Sequence, residues 1–131
     1  MDAVRNTLRS LALVVFLAAA LPAGAATERP FDPEAFAAAQ DAGKPILVEI
    51  HAGWCPTCRA QQPILDKLSE LPKYSGIERF RVDFDAQKDV VRQFKAKVQS
   101  TLVVYKGRNE MARSVGDTDQ AKIRALLDKA L

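Results

Sequence analysis

Runs of apolar residues alternate with mixed polar stretches along the chain, and their spacing predicts helices and strands in the order α-β-α-β-α-β-β-α. The predicted segments are residues 32–43, 46–52, 59–71, 80–84, 88–97, 101–105, 110–115 and 119–131. Helices separate the first strands, so those strands should be joined by crossover connections and pair in parallel. The last two strands form a hairpin that adds an antiparallel edge. The pattern predicts an α/β fold in which a mixed central sheet carries helices on both faces.

Residues 1–26 have the composition of a secretory signal peptide. A basic start is followed by an apolar run over residues 11–21 and by an Ala-x-Ala ending. We expect cleavage after Ala25 or Ala26, which leaves residues 27–131 as one domain outside the cytosol. In a Gram-negative bacterium that compartment is the periplasm. The alternative is an uncleaved membrane anchor, although the apolar core is short for a span of about 20 residues.

The charge distribution argues against a nucleic-acid partner. The formal net charge is only +3 over 131 residues, basic residues are scattered among acidic ones, and no basic and aromatic stripe appears. We therefore expect a protein that binds no nucleic acid, and we expect it to be a monomer.

The candidate chemistry lies in the only two cysteines of the chain, Cys55 and Cys58, which form a Cys-x-x-Cys motif. They follow the apolar strand predicted at residues 46–52 and precede a predicted helix. Unpaired backbone N–H groups and the helix dipole at such a position favour a thiolate, which is the form that attacks disulfides. The placement predicts a reactive dithiol.

Two other interpretations of the cysteine pair are weaker. A purely structural disulfide would close a very short loop and remove little entropy from the unfolded chain. Structural zinc usually needs four Cys or His ligands, and the chain offers only Cys55, Cys58 and His51. We interpret His51 as a neighbour of the dithiol that could stabilise a thiolate when protonated. The sequence thus predicts no metal and no other cofactor.

With the dithiol at this strand end, the chain resembles the thioredoxin family over roughly residues 31–131. The resemblance is carried by residues 46–58, 82–85, 98–107 and Val115-Gly116, in that order along the chain. It implies a thioredoxin-like fold and thiol–disulfide oxidoreductase activity.

The resemblance also implies roles for the residues of the motif. Cys55 would be the exposed attacking cysteine, and Cys58 the more buried resolving cysteine that releases the reduced substrate. Trp54 would form a flat apolar wall beside the site, and Pro56 would stiffen the first helical turn. Strong oxidants of the superfamily typically have histidine where Thr57 stands, so the neutral threonine favours a reductase.

Glu49 departs from the family pattern, because the family usually places a buried aspartate at this position. A carboxyl here could exchange a proton with Cys58, and burial would raise its pKa toward neutrality. The alternative is a carboxylate paired with Arg81 on the neighbouring strand.

Ser100 is the larger departure. The family places a cis-proline immediately before the threonine that matches Thr101, and that loop shapes the groove for substrate backbone. A non-proline cis bond costs about 3 kcal/mol, so the sequence leaves the isomer of the Gln99–Ser100 bond open. The implied groove residues are Trp54, Pro56, Thr57, Ser100 and Thr101.

The function predicted from the sequence is an exported, periplasmic protein-disulfide reductase. Its substrates would be oxidised cysteines of exported proteins, with apocytochromes awaiting haem as a family example, and a membrane thiol transporter would supply electrons. One alternative is a binding module of the same fold that holds a client or a metal through its thiols without turnover. Another is an oxidase or isomerase.

Overall fold

The computed structural model describes residues 26–131, so the predicted signal peptide lies outside the described residues except for Ala26. The helices and strands are β1 (Glu28–Pro30), α1 (Pro33–Asp41), β2 (Pro45–His51), α2 (Pro56–Ser69), β3 (Glu78–Asp83), α3 (Lys88–Gln93), β4 (Thr101–Lys106), β5 (Asn109–Val115) and α4 (Gln120–Asp128). Over this part of the chain, no helix is both long and apolar enough to cross a membrane.

The strands form one sheet in the order β1-β3-β2-β4-β5. β3 pairs in parallel with both β1 and β2, whereas β4 is antiparallel to β2 and β5 is antiparallel to β4. The central strand β2 therefore has one parallel and one antiparallel neighbour. The predicted α/β fold with a mixed central sheet is confirmed.

Helices cover both faces of the sheet, as predicted. Alternate residues of β2 point to opposite faces, which gives each face its own apolar core. On one face α1 and α3 enclose an aromatic cluster made of Phe31, Phe36, Phe80, Phe94 and Tyr105. On the other face α2 and α4 pack over Leu47 and Leu102. Glu49, two residues after Leu47, lies on this second face.

Several elements differ from the sequence prediction, and three of these differences have a local cause. β1 was not predicted, because its three residues are polar or proline and show no alternation. α2 begins at Pro56 rather than residue 59, because Cys55 acts as its N-cap and proline suits the first helical position. α3 ends at Gln93 rather than residue 97, because Lys95 adopts a left-handed φ of 53°.

The chain segments that follow β2, precede β4 and follow β5 meet at one end of the sheet. The Ser100 N–H donates to the carbonyl oxygen of Ile50 at 2.7 Å, and the Gly116 N–H donates to the carbonyl oxygen of Ser100 at 3.0 Å. Because β2 leads directly from Ile50 to the cysteine pair, both loops lie beside the segment that carries the predicted dithiol.

Candidate active site

Cys55 and Cys58 form a disulfide at the N-terminus of α2, with their Cα atoms 5.3 Å apart. The Cys55 Sγ accepts the backbone N–H of Cys58 at 3.1 Å and so caps the helix. A hydrogen bond at this position stabilises negative charge on the sulfur when the disulfide opens.

The expectation that Cys55 is exposed and Cys58 more buried is wrong for this disulfide form. Cys55 is 1% exposed and Cys58 is 2% exposed. Ala52 and Phe84 pack against the cysteine pair, which accounts for its burial. The neighbouring residues Trp54 and Pro56 are exposed instead, so they form the solvent-facing part of the site.

Trp54 is held by a hydrogen bond that the sequence analysis missed. Its side chain is 57% exposed, yet its indole Nε1 donates to Asp85 Oδ2 at 2.7 Å. Asp83 fixes the backbone on which Asp85 lies, because its Oδ1 accepts the N–H groups of Asp85 and Ala86. The two aspartates thus anchor a turn and an aromatic side chain. Within residues 26–131, no three His, Cys, Asp or Glu side chains are grouped so that they could hold a metal ion.

The Gln99–Ser100 peptide bond is trans, and Ser100 has a left-handed φ of 59°. Its N–H donates to the carbonyl oxygen of Ile50. Its own carbonyl oxygen accepts hydrogen bonds from the Gly116 N–H and from Gln61 Nε2. Thr101 is also buried, and its Oγ1 donates to the carbonyl oxygen of Val98 at 2.8 Å. The loop is therefore held in place by hydrogen bonds.

Glu49 is buried, and its hydrogen-bond partner is Arg79: the Arg79 Nε donates to Glu49 Oε1 at 2.8 Å. The alternative pairing with Arg81 is wrong. Arg81 lies opposite Glu49 in the strand register, but its guanidinium reaches outward to Glu28 and Gln62. Proton exchange between Glu49 and Cys58 stays a prediction.

Arg79 links Glu49 to the surface of α2. Its Nη1 donates to Asp66 Oδ1 at 2.9 Å and to Ser69 Oγ at 3.2 Å. Burial raises the pKa of Glu49 from 4.5 to about 7, although the positive charge of Arg79 lowers it. A carboxyl that titrates near neutral pH can both accept and release a proton under physiological conditions.

His51 lies half-buried at the end of β2. Burial lowers its pKa, and so does the positive charge of Arg81. The protonated imidazole that could stabilise a Cys55 thiolate is thus disfavoured near neutral pH.

Comparison with known proteins decides the family. The thioredoxin family model matches residues 28–129. This chain belongs to the thioredoxin family. It is 35% identical over 83 residues to an H-type thioredoxin of Fagopyrum esculentum, covering 63% of this chain and 70% of that protein. It is 31% identical over 90 residues to thioredoxin C-2 of Corynebacterium nephridii, covering 68% and 82%.

Solved thioredoxin structures have the same architecture. Trxlp from Edwardsiella tarda superposes with a TM-score of 0.75 at 37% identity, covering 77% of this chain and 98% of that chain. Thioredoxin O2 from Arabidopsis thaliana in the oxidised state has a TM-score of 0.67 at 23% identity, covering 79% and 94%, and this likeness shows the fold alone. The predicted resemblance is confirmed. The protein is a thiol–disulfide oxidoreductase of the thioredoxin family with a Cys55–Cys58 pair, and thioredoxins act on disulfides of substrate proteins.

Ser100→Gly should stabilise this thioredoxin-family protein. A left-handed non-glycine residue costs about 1 kcal/mol, and glycine removes that cost while keeping the backbone hydrogen bonds of the loop. We expect the free energy of unfolding in urea to rise by up to about 1 kcal/mol. Ser114→Gly in the strand β5 is the matched control and should lower it by about 0.5–1 kcal/mol. A loss of stability in both variants would show that the left-handed backbone of Ser100 is not strained.

The titration of Glu49 should make stability fall as pH rises. Its pKa is raised in the folded state, so its contribution is fully present below pH 4.5 and is lost as pH rises through about 7. We expect this group to lower the free energy of unfolding by about 3 kcal/mol over that window. Glu49→Gln should remove this part of the pH dependence in urea titrations, whereas Glu70→Gln at the exposed end of α2 should keep it. An unchanged slope in Glu49→Gln would contradict the assignment.

Proposed function

We propose that the protein is an exported reductase of protein disulfides that works through Cys55 and Cys58. The observation that carries the proposal is the position of Cys55 as the N-cap of α2, where its sulfur accepts the Cys58 N–H. A thiolate at a helix N-terminus is stabilised by the helix dipole and by unpaired N–H groups. Thr57 adds no charge that would further favour the reduced form.

The reaction has two exchange steps. The Cys55 thiolate attacks one sulfur of a substrate disulfide, the substrate S–S bond breaks, and its other sulfur leaves as a thiolate. Cys58 then attacks the Cys55 sulfur, re-forms the Cys55–Cys58 bond and releases the second substrate thiolate. Two electrons pass from the dithiol to the substrate. Glu49 is the proposed acceptor of the Cys58 proton, because its pKa of about 7 suits proton transfer at neutral pH.

The proposed groove combines an exposed and a buried part. Trp54 and Pro56 are exposed and Thr57 is half-buried, so these side chains can contact a substrate directly. Ser100 and Thr101 are buried, so we expect that loop to contribute shape and backbone groups more than side chains.

The proposal also covers the location of the protein and its partners, which the thiol–disulfide chemistry of the family does not specify. The signal-type sequence of residues 1–26 supports a periplasmic or membrane-anchored location in a Gram-negative host. An exported reductase there must receive electrons through a membrane thiol transporter. Its clients would be oxidised cysteines of exported proteins, apocytochromes among them.

Insulin reduction tests the proposed activity. Catalytic amounts of the purified protein with dithiothreitol should accelerate precipitation of the insulin B chain well beyond dithiothreitol alone. A Cys55→Ala/Cys58→Ala variant is the control and should give the uncatalysed rate. No acceleration by the wild type would contradict reductase activity.

Mass spectrometry of the full chain expressed in a Gram-negative host tests export separately. We expect a periplasmic product that begins at Ala26 or Thr27. An intact product confined to the cytosol would contradict export but leave the reductase activity standing.

The burial of both cysteines favours one alternative, a binding module that holds a client without turnover. A disulfide that is shielded from solvent reacts slowly unless the partner protein exposes its sulfur atoms. Such a module would keep a stable mixed disulfide at Cys55 even while Cys58 is present.

A further inference from the structure

Gln61 is a buried polar residue in the apolar stripe of α2. The buried residues of this helix follow helical spacing and comprise Cys58, Gln61, Leu65, Leu68 and Ser69. Gln61 is 3% exposed and lies one turn beyond Cys58. An amide at such a position is costly unless its hydrogen-bonding groups are satisfied. Packing alone therefore does not explain a glutamine at this buried position.

The Gln61 side chain connects α2 to two loops. Its Nε2 donates to the carbonyl oxygen of Ser100 at 3.2 Å and to the carbonyl oxygen of Asp117 at 3.0 Å. Both hydrogens of the amide group are thereby used. Ser100 lies immediately before β4, and Asp117 follows β5 after Gly116. One side chain thus binds the helix that carries the cysteines to both neighbouring loops.

Ser100 needs such support because serine has no ring that fixes the backbone angle φ, as the proline of the family pattern does. It has a left-handed φ of 59° behind a trans peptide bond, a conformation that serine adopts only at a cost. Its N–H is held by Ile50 at the end of β2, and its carbonyl is held by Gly116 and Gln61. Of these contacts, only the one from Gln61 comes from the helix that begins at the cysteine pair.

We propose that Gln61 is a positioning residue that holds the Ser100 loop at a fixed place relative to the Cys55–Cys58 pair and so shapes the groove for protein substrates. The inference rests on the proposed function, in which this loop forms part of the groove. Gln61 acts through Ser100 and Asp117. Its loss should weaken the binding of a polypeptide that lies along the loop, whereas a small disulfide that touches only the sulfurs should react as before.

Gln61→Met tests the proposal, because methionine has similar length but cannot donate a hydrogen bond. The matched control is Gln62→Met, whose side chain is directed to Glu28, Asp66 and Arg81 instead. The measurements are kcat and KM for insulin, the rate constant with hydroxyethyl disulfide, and the equilibrium potential of the cysteine pair. We expect Gln61→Met to raise KM for insulin about five- to tenfold, the effect of one or two lost hydrogen bonds. The kcat for insulin, the rate constant with hydroxyethyl disulfide and the equilibrium constant that gives the potential should stay within about twofold, since the change leaves the chemistry at the sulfurs untouched. In Gln62→Met all of these quantities, and KM for insulin, should stay within about twofold.

Gln61→Glu keeps the side-chain shape and covers the case in which the methionine variant does not fold. An ionised carboxylate cannot donate to the two carbonyl oxygens, whereas a protonated one can donate to one of them. We expect the KM ratio of this variant to the wild type to be high at alkaline pH and to fall as pH is lowered. The proposal is overturned if KM for insulin is unchanged, or if insulin and hydroxyethyl disulfide are affected equally. A wild-type protein that does not reduce insulin would instead contradict the proposed function.

Discussion

Cys55→Ala should abolish disulfide reduction, and Cys58→Ala should trap the substrate on Cys55. Removal of the attacking sulfur eliminates the covalent step, so we expect the rate of insulin reduction to fall roughly a thousandfold or more. Removal of the resolving sulfur leaves the first exchange intact but blocks the second, so a mixed disulfide accumulates. Non-reducing gels and mass spectrometry of the adduct would measure both effects.

Substrate capture by the Cys55→Ala variant and by the wild type supplies the controls for this experiment. A variant that lacks Cys55 but retains Cys58 should capture no substrate, because Cys58 lies within the first turn of α2 and lacks the N-cap position at which the Cys55 sulfur accepts a backbone N–H. The wild type should accumulate no adduct, because Cys58 releases it. A stable adduct on the wild type would contradict turnover and support the binding module, and equal trapping on either single cysteine would contradict the assigned order of attack.

Arg79→Met should destabilise the fold by about 3–5 kcal/mol at pH above 7, because it leaves the buried Glu49 carboxylate without its cation. Asp66 and Ser69 lose a hydrogen-bond partner in the same variant. The loss should be smaller at acidic pH, where Glu49 is neutral and needs no counter-charge. Urea unfolding at two pH values on either side of the Glu49 transition would measure the difference.

Arg81→Met is the matched control for this prediction. The Arg81 side chain is 31% exposed and pairs with the partly exposed Glu28, so its removal should cost no more than about 1 kcal/mol. The double variant Glu49→Leu/Arg79→Met removes both charges and should recover most of the lost stability. Equal losses in Arg79→Met and Arg81→Met would contradict the special role of the buried pair.

The sequence was sufficient to predict the features that depend on local pattern. The apolar run of β2 followed by the two cysteines predicted a strand, a helix and a cysteine pair where the strand leads into the helix, and the structure contains all three. The reactivity of the pair stays a prediction. The order of the elements predicted helices on both faces of a mixed sheet, because helices that separate the first strands form crossover connections over the sheet.

Contacts between distant residues could not be predicted from the sequence. Both Arg79 and Arg81 lie on β3, next to the strand that carries Glu49. Only the packing of α2 decides which guanidinium is buried beside the Glu49 carboxyl. Trp54 and Asp85 lie far apart along the chain, and no spacing rule connects them. The backbone angle of Ser100 depends likewise on the loops around it.

Gln61 is the residue that sequence reasoning missed although a signal was present. It occupies a core position of the α2 stripe, at helical spacing from Cys58 and Leu65, where an apolar residue is expected. A polar residue on an apolar stripe indicates a buried hydrogen-bond partner, but the pattern does not identify that partner.

The equilibrium potential of the Cys55–Cys58 pair tests the central claim most directly. Titration of the purified protein against a dithiothreitol or glutathione series should give a value near the thioredoxin level of about −270 mV, as expected of a reductase. A value near about −120 mV would identify an oxidant and contradict the proposed direction of electron flow. The absence of any reversible transition would contradict the enzymatic role itself.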